Sequence, residues 1–364
     1  IDDKDYKLNW LYQVEFNPFA PQPSELPCYD KKNKEGQSWD CIELPKAESL
    51  IDSVDFTIRN FSIAPDGKTI AFSHSPDPLI NSFLKADIST VDMASREIKN
   101  IIANPSGDSF IDWSPDGSQI LYSSDVNNNT SNFYTNNRLF IASPDGSNSM
   151  EIGQDFDEDI GVMEWNSQGI MATANQRTER YLYKIDPSSG KVSLLLNSPK
   201  QIFGGSFDES GSTMAFRAKN GDDLSELYIT STSEMMPRKI TNQSMQIKDW
   251  KTAQSEVVQW KSKDGAGIEG ILHKPQDFDA NKKYPLLVVI IGGPTGTDRA
   301  DELFPYVYQI YQWLNKGAVV LRVYYRGSAG YGAVFRALNV ENVGVGDAWD
   351  VLSGVDHVIS KGYI

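Results

Sequence analysis

Two glycine-rich stretches near the C-terminal end are best suited to chemistry. The first, Ile291-Gly292-Gly293-Pro294, follows the apolar run Leu286-Leu287-Val288-Val289-Ile290. The second, Tyr325-Arg326-Gly327-Ser328-Ala329-Gly330-Tyr331-Gly332, follows Val319-Val320-Leu321-Arg322-Val323. Glycine directly after a strand lets the backbone approach a bound group closely. Backbone N–H groups aimed at a developing negative oxygen stabilise acyl transfer. The same glycines also serve simply to make tight turns. The side chains promise less. Ser328 lies in Gly-Ser-Ala-Gly, but not in the strand–turn–helix setting of a Gly-X-Ser-X-Gly nucleophile elbow, so it reads as structural. His74 follows a strand, His273 ends a hairpin and His357 lies in a helix; each reads as a surface or packing residue. Asp347, Asp350 and Asp356 fall along that same helix. Asp347 is placed to complement the dipole at its start, and the other two read as solvated. Arg326 reads as a loop-holding residue paired with a carboxylate.

The elements around these residues follow from periodicity and glycine punctuation. Residues 257–265 and 268–275 read as a hairpin, and 277–283 as a polar loop. Residues 301–316 carry apolar positions at helical spacing and end at Gly317; residues 347–361 do the same and end at Gly362. Strand, helix, strand, helix predicts a parallel sheet with right-handed crossovers. Within the residues given, Val319–Val323 is expected at an exposed edge, which invites association and a possible oligomer unless further chain covers it.

Upstream, residues 56–241 repeat loosely. Phe61-Ser62-Ile63-Ala64-Pro65-Asp66-Gly67-Lys68-Thr69-Ile70-Ala71-Phe72 matches Ile111-Asp112-Trp113-Ser114-Pro115-Asp116-Gly117-Ser118-Gln119-Ile120-Leu121-Tyr122, with weaker copies at residues 163–172 and 206–216. Each reads as strand, tight turn, strand. A second hairpin type, at residues 88–93, 182–192 and 227–230, completes four-stranded units. Regular recurrence favours a β-propeller over a sandwich. Four units are clear, and Ser38–Leu44 is a candidate strand of a fifth. The polar loop Asn127–Asn132 carries a glycan-acceptor pattern.

Two domains are expected: residues 1–250, a β-propeller with an N-terminal extension, and residues 251–364. The net charge of −15 argues against nucleic acid as a partner. No apolar run is long enough to span a bilayer. Cys28 and Cys41 are either two separate thiols or one disulfide. The disulfide would place the chain in the periplasm or outside the cell; free thiols also suit the cytoplasm. No third and fourth ligand accompany them, so no zinc site is expected.

From about Val257 to Ile364 the chain resembles the prolyl oligopeptidase family of serine peptidases, on its acylaminoacyl-peptidase and dipeptidyl-peptidase side. Three features carry the resemblance: Asp264-Gly265 with Ile268-Glu269-Gly270-Ile271-Leu272; residues 283–294 through Gly292-Gly293-Pro294; and residues 324–332 followed by Gly346-Asp347 and Gly354-Val355-Asp356. An upstream propeller is independent support. The resemblance implies an all-β propeller followed by an incomplete α/β-hydrolase domain. It also implies a short peptide substrate, no cofactor or metal, and an oxyanion role for Gly293 beside Gly292. The catalytic serine, aspartate and histidine would then lie beyond Ile364, with none in this chain. Ile291 stands where the family often has histidine, which puts the packing of this loop in question. A non-peptide esterase and a propeller binding module remain alternatives.

Overall fold

The computed structural model describes residues 7–14, 47–52, 55–126, 134–221, 223–250, 252–293, 295–299 and 309–364. The cysteine pair, the candidate strand at residues 38–44 and the loop at residues 127–132 lie outside these residues.

Strands β1 (Leu11–Gln13) and β2 (Glu48–Ile51) form an antiparallel pair. Four antiparallel four-stranded units follow. The first is β3 (Thr57–Ile63), β4 (Thr69–Ser75), β5 (Asp87–Asp92) and β6 (Ile98–Ile102). The second is β7 (Asp108–Trp113), β8 (Ile120–Ser124), β9 (Arg138–Ala142) and β10 (Met150–Ile152). The third is β11 (Ile160–Asn166), β12 (Gly169–Gln176), β13 (Glu179–Ile185) and β14 (Val192–Leu196). The fourth is β15 (Gln201–Phe207), β16 (Thr213–Lys219), β17 (Glu226–Ser231) and β18 (Arg238–Lys239). One parallel bridge, Arg180 to Gln201, links the last two.

The repeated turn motifs explain the hairpins. Asp66 accepts the backbone N–H of Lys68 at 2.9 Å, and Asp116 that of Ser118 at 3.0 Å. Asn166 does the same for Gln168 at 2.9 Å in the weaker third copy. A short acidic or amide side chain thus closes each turn locally. Every first strand also carries a bulge, at Arg59, Ile111, Met163 and Phe203. Bulges re-aim one side chain out of the alternation. Ile111 is turned onto the core shared by the second and third units, and Met163 onto that of the third and fourth. Successive units therefore pack face to face through shared apolar cores rather than burying a core each.

The C-terminal part is a four-stranded mixed sheet. Its strands are β19 (Gln254–Lys261), β20 (Gly267–Lys274), β21 (Leu286–Ile290) and β22 (Val319–Tyr324), in the order β19-β20-β22-β21. Only β21 and β22 are parallel. The helices are α1 (Ile310–Asn315), α2 (Gly332–Ala337) and α3 (Gly346–Ile359). Alternation along β22 sends Val319, Leu321 and Val323 to a core with Val358 of α3. Val320 goes to the opposite face, with Ile310 and Leu314 of α1. Helices therefore cover both faces, as a buried parallel pair requires. Of the helix expected over residues 301–316, the described part is α1.

One expectation is overturned. Val319–Val323 is no edge: β20 pairs antiparallel along it, Glu269 opposite Tyr324 and His273 opposite Val320. Every residue of β22 is buried. The edge falls instead on β21, where Ile290 is half exposed. Among the described residues, no helix is long and apolar enough to cross a membrane.

Candidate functional site

The two glycine stretches meet. The Gly292-Gly293 turn leaves the end of β21, and the Arg326–Gly332 loop leaves the end of the adjacent β22. Tyr325 Oη donates to the Ile291 carbonyl at 2.9 Å, and the Ala329 N–H to the Gly296 carbonyl at 3.3 Å. Ile291, in the position where histidine was noted as usual, packs on the core beneath β21. Gly293 has a φ of +154°, and a Cβ there would sit 2.5 Å from the Gly296 nitrogen and 2.8 Å from that of Thr295. The chain curls so tightly that only glycine fits. Gly292 and Gly293 are both exposed, so their backbone can be reached from solvent.

The outgoing arm of this turn is tied to the sheet by Asp298, which pairs with Arg322 on β22; both are buried. Arg322 occupies an inward position where the strand alternation calls for an apolar residue. Burial drives its pKa down to about 10. His273 lies beside it, with Nε2 3.4 Å from Arg322 Nη1 and Nδ1 2.7 Å from Ser255 Oγ. Burial, then the neighbouring guanidinium, pushes the His273 pKa down to about 3, so the ring is neutral at physiological pH. A lone arginine in an apolar strand demands a carboxylate. That signal was present in the sequence, but its partner could not be picked from so many acids.

Arg326 holds its loop as expected, and its main partner corrects a reading. Asp350 is not solvated; it is fully buried. Its Oδ2 accepts the Arg326 backbone N–H at 2.8 Å and Nε at 2.9 Å, and its Oδ1 accepts Nη2 at 2.8 Å. Asp264 takes the outer side of the guanidinium, 2.8 Å from Nη1 and 3.0 Å from Nη2. Hydrogen bonds from Arg326 hold the Asp264 carboxyl down at about 2. The hydrogen bonds to Asp350 raise Arg326 further. Asp347 lies in the first turn of α3, where its carboxylate complements the helix dipole and accepts the Ala348 N–H at 2.8 Å. Ser328 is buried, and its hydroxyl donates to the Tyr325 carbonyl at 2.7 Å. It is a structural serine.

The histidines form no triad among the described residues. His74, within β4, bonds the buried Ser89 at 2.8 Å and packs on Phe56 and Phe72. His357 stacks on Trp260.

The second glycine stretch also docks on the third four-stranded unit. Glu158, buried, accepts the Gly330 N–H at 2.5 Å and the Gly332 N–H at 3.4 Å. Burial raises its pKa. Asp157 accepts the Ala333 N–H at 2.9 Å, and Asp159 pairs with Arg336 at 2.6 Å. The Arg177 N–H donates to the Gly330 carbonyl at 2.8 Å, while its side chain reaches Glu269 at 2.7 Å. A Cβ on Gly330 would lie 2.9 Å from the Arg177 carbonyl oxygen. These loop glycines thus serve close approach between the two parts of the chain. The acidic run at residues 155–159 looks like solvated surface in sequence, so this seam could not be read there.

A row of shared-core β units joined to a helix-covered mixed sheet is a fold found in solved structures. The structure of puromycin hydrolase matches 87% of this chain and 49% of its own, with a TM-score of 0.65 at 18% identity. The acylaminoacyl peptidase of Pyrococcus horikoshii matches 96% of this chain and 54% of its own, with a TM-score of 0.68 at 20% identity. Residues 305–364 match the prolyl oligopeptidase family. Dipeptidyl-peptidase 5 of Porphyromonas gingivalis is 24% identical over 321 residues, covering 84% of this chain and 45% of that protein. Dipeptidyl-peptidase 5 of Arthroderma otae is 26% identical over 302 residues, covering 75% and 39%. Together these matches support a member of the prolyl oligopeptidase family. The chain spans less than half the length of these curated relatives.

Proposed function

We propose that this chain is the β-propeller and the front of the α/β-hydrolase domain of a serine peptidase acting on short peptides. The domains divide as residues 1–250 and 251–364. Gly293 supplies one oxyanion N–H, with Gly292 shaping the turn. The observation that carries this reading is the exposed Gly292-Gly293 turn, fixed from both sides. Tyr325 holds the incoming residue, and the buried Asp298–Arg322 pair holds the outgoing arm. A preorganised donor of this kind needs no rearrangement as negative charge develops. Its second N–H and the serine, histidine and aspartate would come from chain following Ile364. The serine would attack, the histidine would carry the proton and the aspartate would orient the histidine. The chemistry requires no metal or organic cofactor. The match to dipeptidyl-peptidases and the shared fold with peptidases support the substrate class. A periplasmic or secreted setting is part of this reading if Cys28 and Cys41 are joined.

The test uses the intact protein that carries this chain. Its mass should exceed 40.6 kDa, and a fluorophosphonate should label a serine outside residues 1–364. Labelling should abolish hydrolysis of short peptide amides. An intact mass of 40.6 kDa, or peptide turnover that survives complete labelling, refutes the proposal.

A further inference from the structure

The arm that leaves Gly293 is tied down step by step. The Gly296 carbonyl accepts the Ala329 N–H at 3.3 Å. Asp298 pairs with Arg322, and its Oδ1 also accepts the Arg299 N–H at 2.9 Å. These ties come from the C-terminal sheet, its loops and the arm itself. A further one comes from the β units. The Arg299 guanidinium lies over the ring of Phe203, 5.3 Å from its centroid. Phe203 belongs to β15, in the fourth unit.

The repeat explains why this ring is free to reach the arm. Phe203 is the bulged residue of its strand, the place taken by Ile111 in the second unit and Met163 in the third. Those two side chains turn onto the core shared with the following unit. Among the described residues no four-stranded unit follows the fourth, and the chain runs on to the mixed sheet. The position that elsewhere meets the next unit therefore meets the arm. Gly204 and Gly205 come directly after it. A Cβ on Gly205 would lie 2.4 Å from the Ala215 carbonyl oxygen, so the bulge needs glycine there. Arg217 of β16 shares the ring, 4.8 Å from its centroid. An aromatic face attracts cations through its quadrupole, which an aliphatic side chain of similar size does not do. Phe203 and Arg299 are both half-buried, so solvent screens their contact only in part.

We propose that Phe203 is a positioning residue for the oxyanion turn. Its ring fixes Arg299, Arg299 and Asp298 fix the arm, and the arm fixes the direction of the Gly293 N–H. This rests on the peptidase reading above. Phe203 touches neither substrate nor reacting atoms; it acts through the arm. The fourth unit is thereby part of the catalytic frame. A propeller that merely covered the site would leave kcat untouched by a change at Phe203.

The test uses the intact protein and short peptide amides. Phe203→Leu should lower kcat about fivefold, the equivalent of ~1 kcal/mol at 1.36 kcal/mol per tenfold. KM should change by less than about twofold, because the lost contact serves the transition state. Phe203→Tyr keeps the aromatic face and should retain the original kcat. Arg299→Gln should also slow turnover, and Phe203→Leu combined with Arg299→Gln should be no slower than the slower single variant. Amides of residues 295–299 should exchange hydrogen faster in Phe203→Leu, with the circular dichroism unchanged. Should Phe203→Leu fail to fold, Phe203→Met carries the same readouts. Full kcat without the ring, strict additivity in the double variant, or the loss of activity in Phe203→Tyr overturns the proposal. Peptide turnover with unchanged exchange of the arm sinks the anchor alone. Faster exchange in a protein without peptide turnover sinks the peptidase reading and leaves the anchor standing.

Discussion

Replacing Asp350 by Asn should unlock the loop that carries the second glycine stretch. Asp350 is fully buried and accepts three hydrogen bonds, all from Arg326, at 2.8–2.9 Å. Asn keeps one acceptor oxygen and turns an NH2 group toward the other guanidinium donors. Removing one member of a buried pair typically destabilises by about 3–5 kcal/mol, because the partner charge stays buried. Here Asp264 remains against the outer side of Arg326 and limits the damage. Its side chain is 38% exposed, so solvent screens that second pair. The expected loss for Asp350→Asn is therefore about 3 kcal/mol, the lower end of the range for a broken buried pair. Asp264→Asn, at the screened rim, should lose about 1 kcal/mol or less. The assay is urea unfolding followed by tryptophan fluorescence. Trp260 is a suitable reporter, since its Nε1 donates to the Asp350 carbonyl at 3.0 Å. If the two variants unfold together, or Asp264→Asn is the more damaging, the reasoning from burial is wrong.

The remaining expectations concern other parts of the same scaffold. His273 is held near pKa 3 when folded against an ordinary 6.5. Its stabilising contribution is thus complete above pH 6.5 and lost as pH falls toward 3. His273→Gln should flatten the stability–pH curve in that window by up to about 1.4 kcal/mol per pH unit, one proton's worth. An unchanged acid limb would show that another group controls it. Gly354 faces Trp260 so closely that a Cβ would lie 2.6 Å from its ring. Gly354→Ala should therefore lower the melting temperature, although Ala favours a helix by about 1 kcal/mol; a rise would mean α3 can shift. On the proposed peptidase reading, Gly293→Ala keeps the N–H but its Cβ would clash with the Gly296 and Thr295 nitrogens and swing the donor out of place, so kcat should fall about 100-fold with a smaller change in KM. A change confined to KM would assign the turn to ground-state binding instead.

Much of the fold was legible because it is local. Pro-Asp-Gly and its variants close their own turns through a side chain two residues away. Hairpin positions therefore follow from short stretches of sequence. The same holds for Gly317 and Gly362, which end α1 and α3 with φ of +82° and +89°. The glycine turn at residues 291–293 was legible for the same reason: an apolar run followed by paired glycines has few other meanings. Arg326 could be assigned a carboxylate because an arginine beside a buried strand needs one.

The choice of carboxylate was not legible. Asp350 lies 24 residues along the chain from Arg326, on a helix whose spacing alone suggests a solvated face. Strand order escaped in the same way. Runs of valine and leucine identify β21 and β22 as buried, but nothing local says that β20 slips in antiparallel beside β22 and leaves β21 at the edge. The grip of residues 157–159 on Gly330–Arg336 likewise joins segments far apart in sequence. Sequence by itself determined the elements, their turns and the position of the candidate oxyanion loop, because backbone geometry and nearest-neighbour hydrogen bonds act over a few residues. Tertiary structure alone decided which charges are paired and which strand is exposed, because burial depends on what the rest of the chain packs around each group.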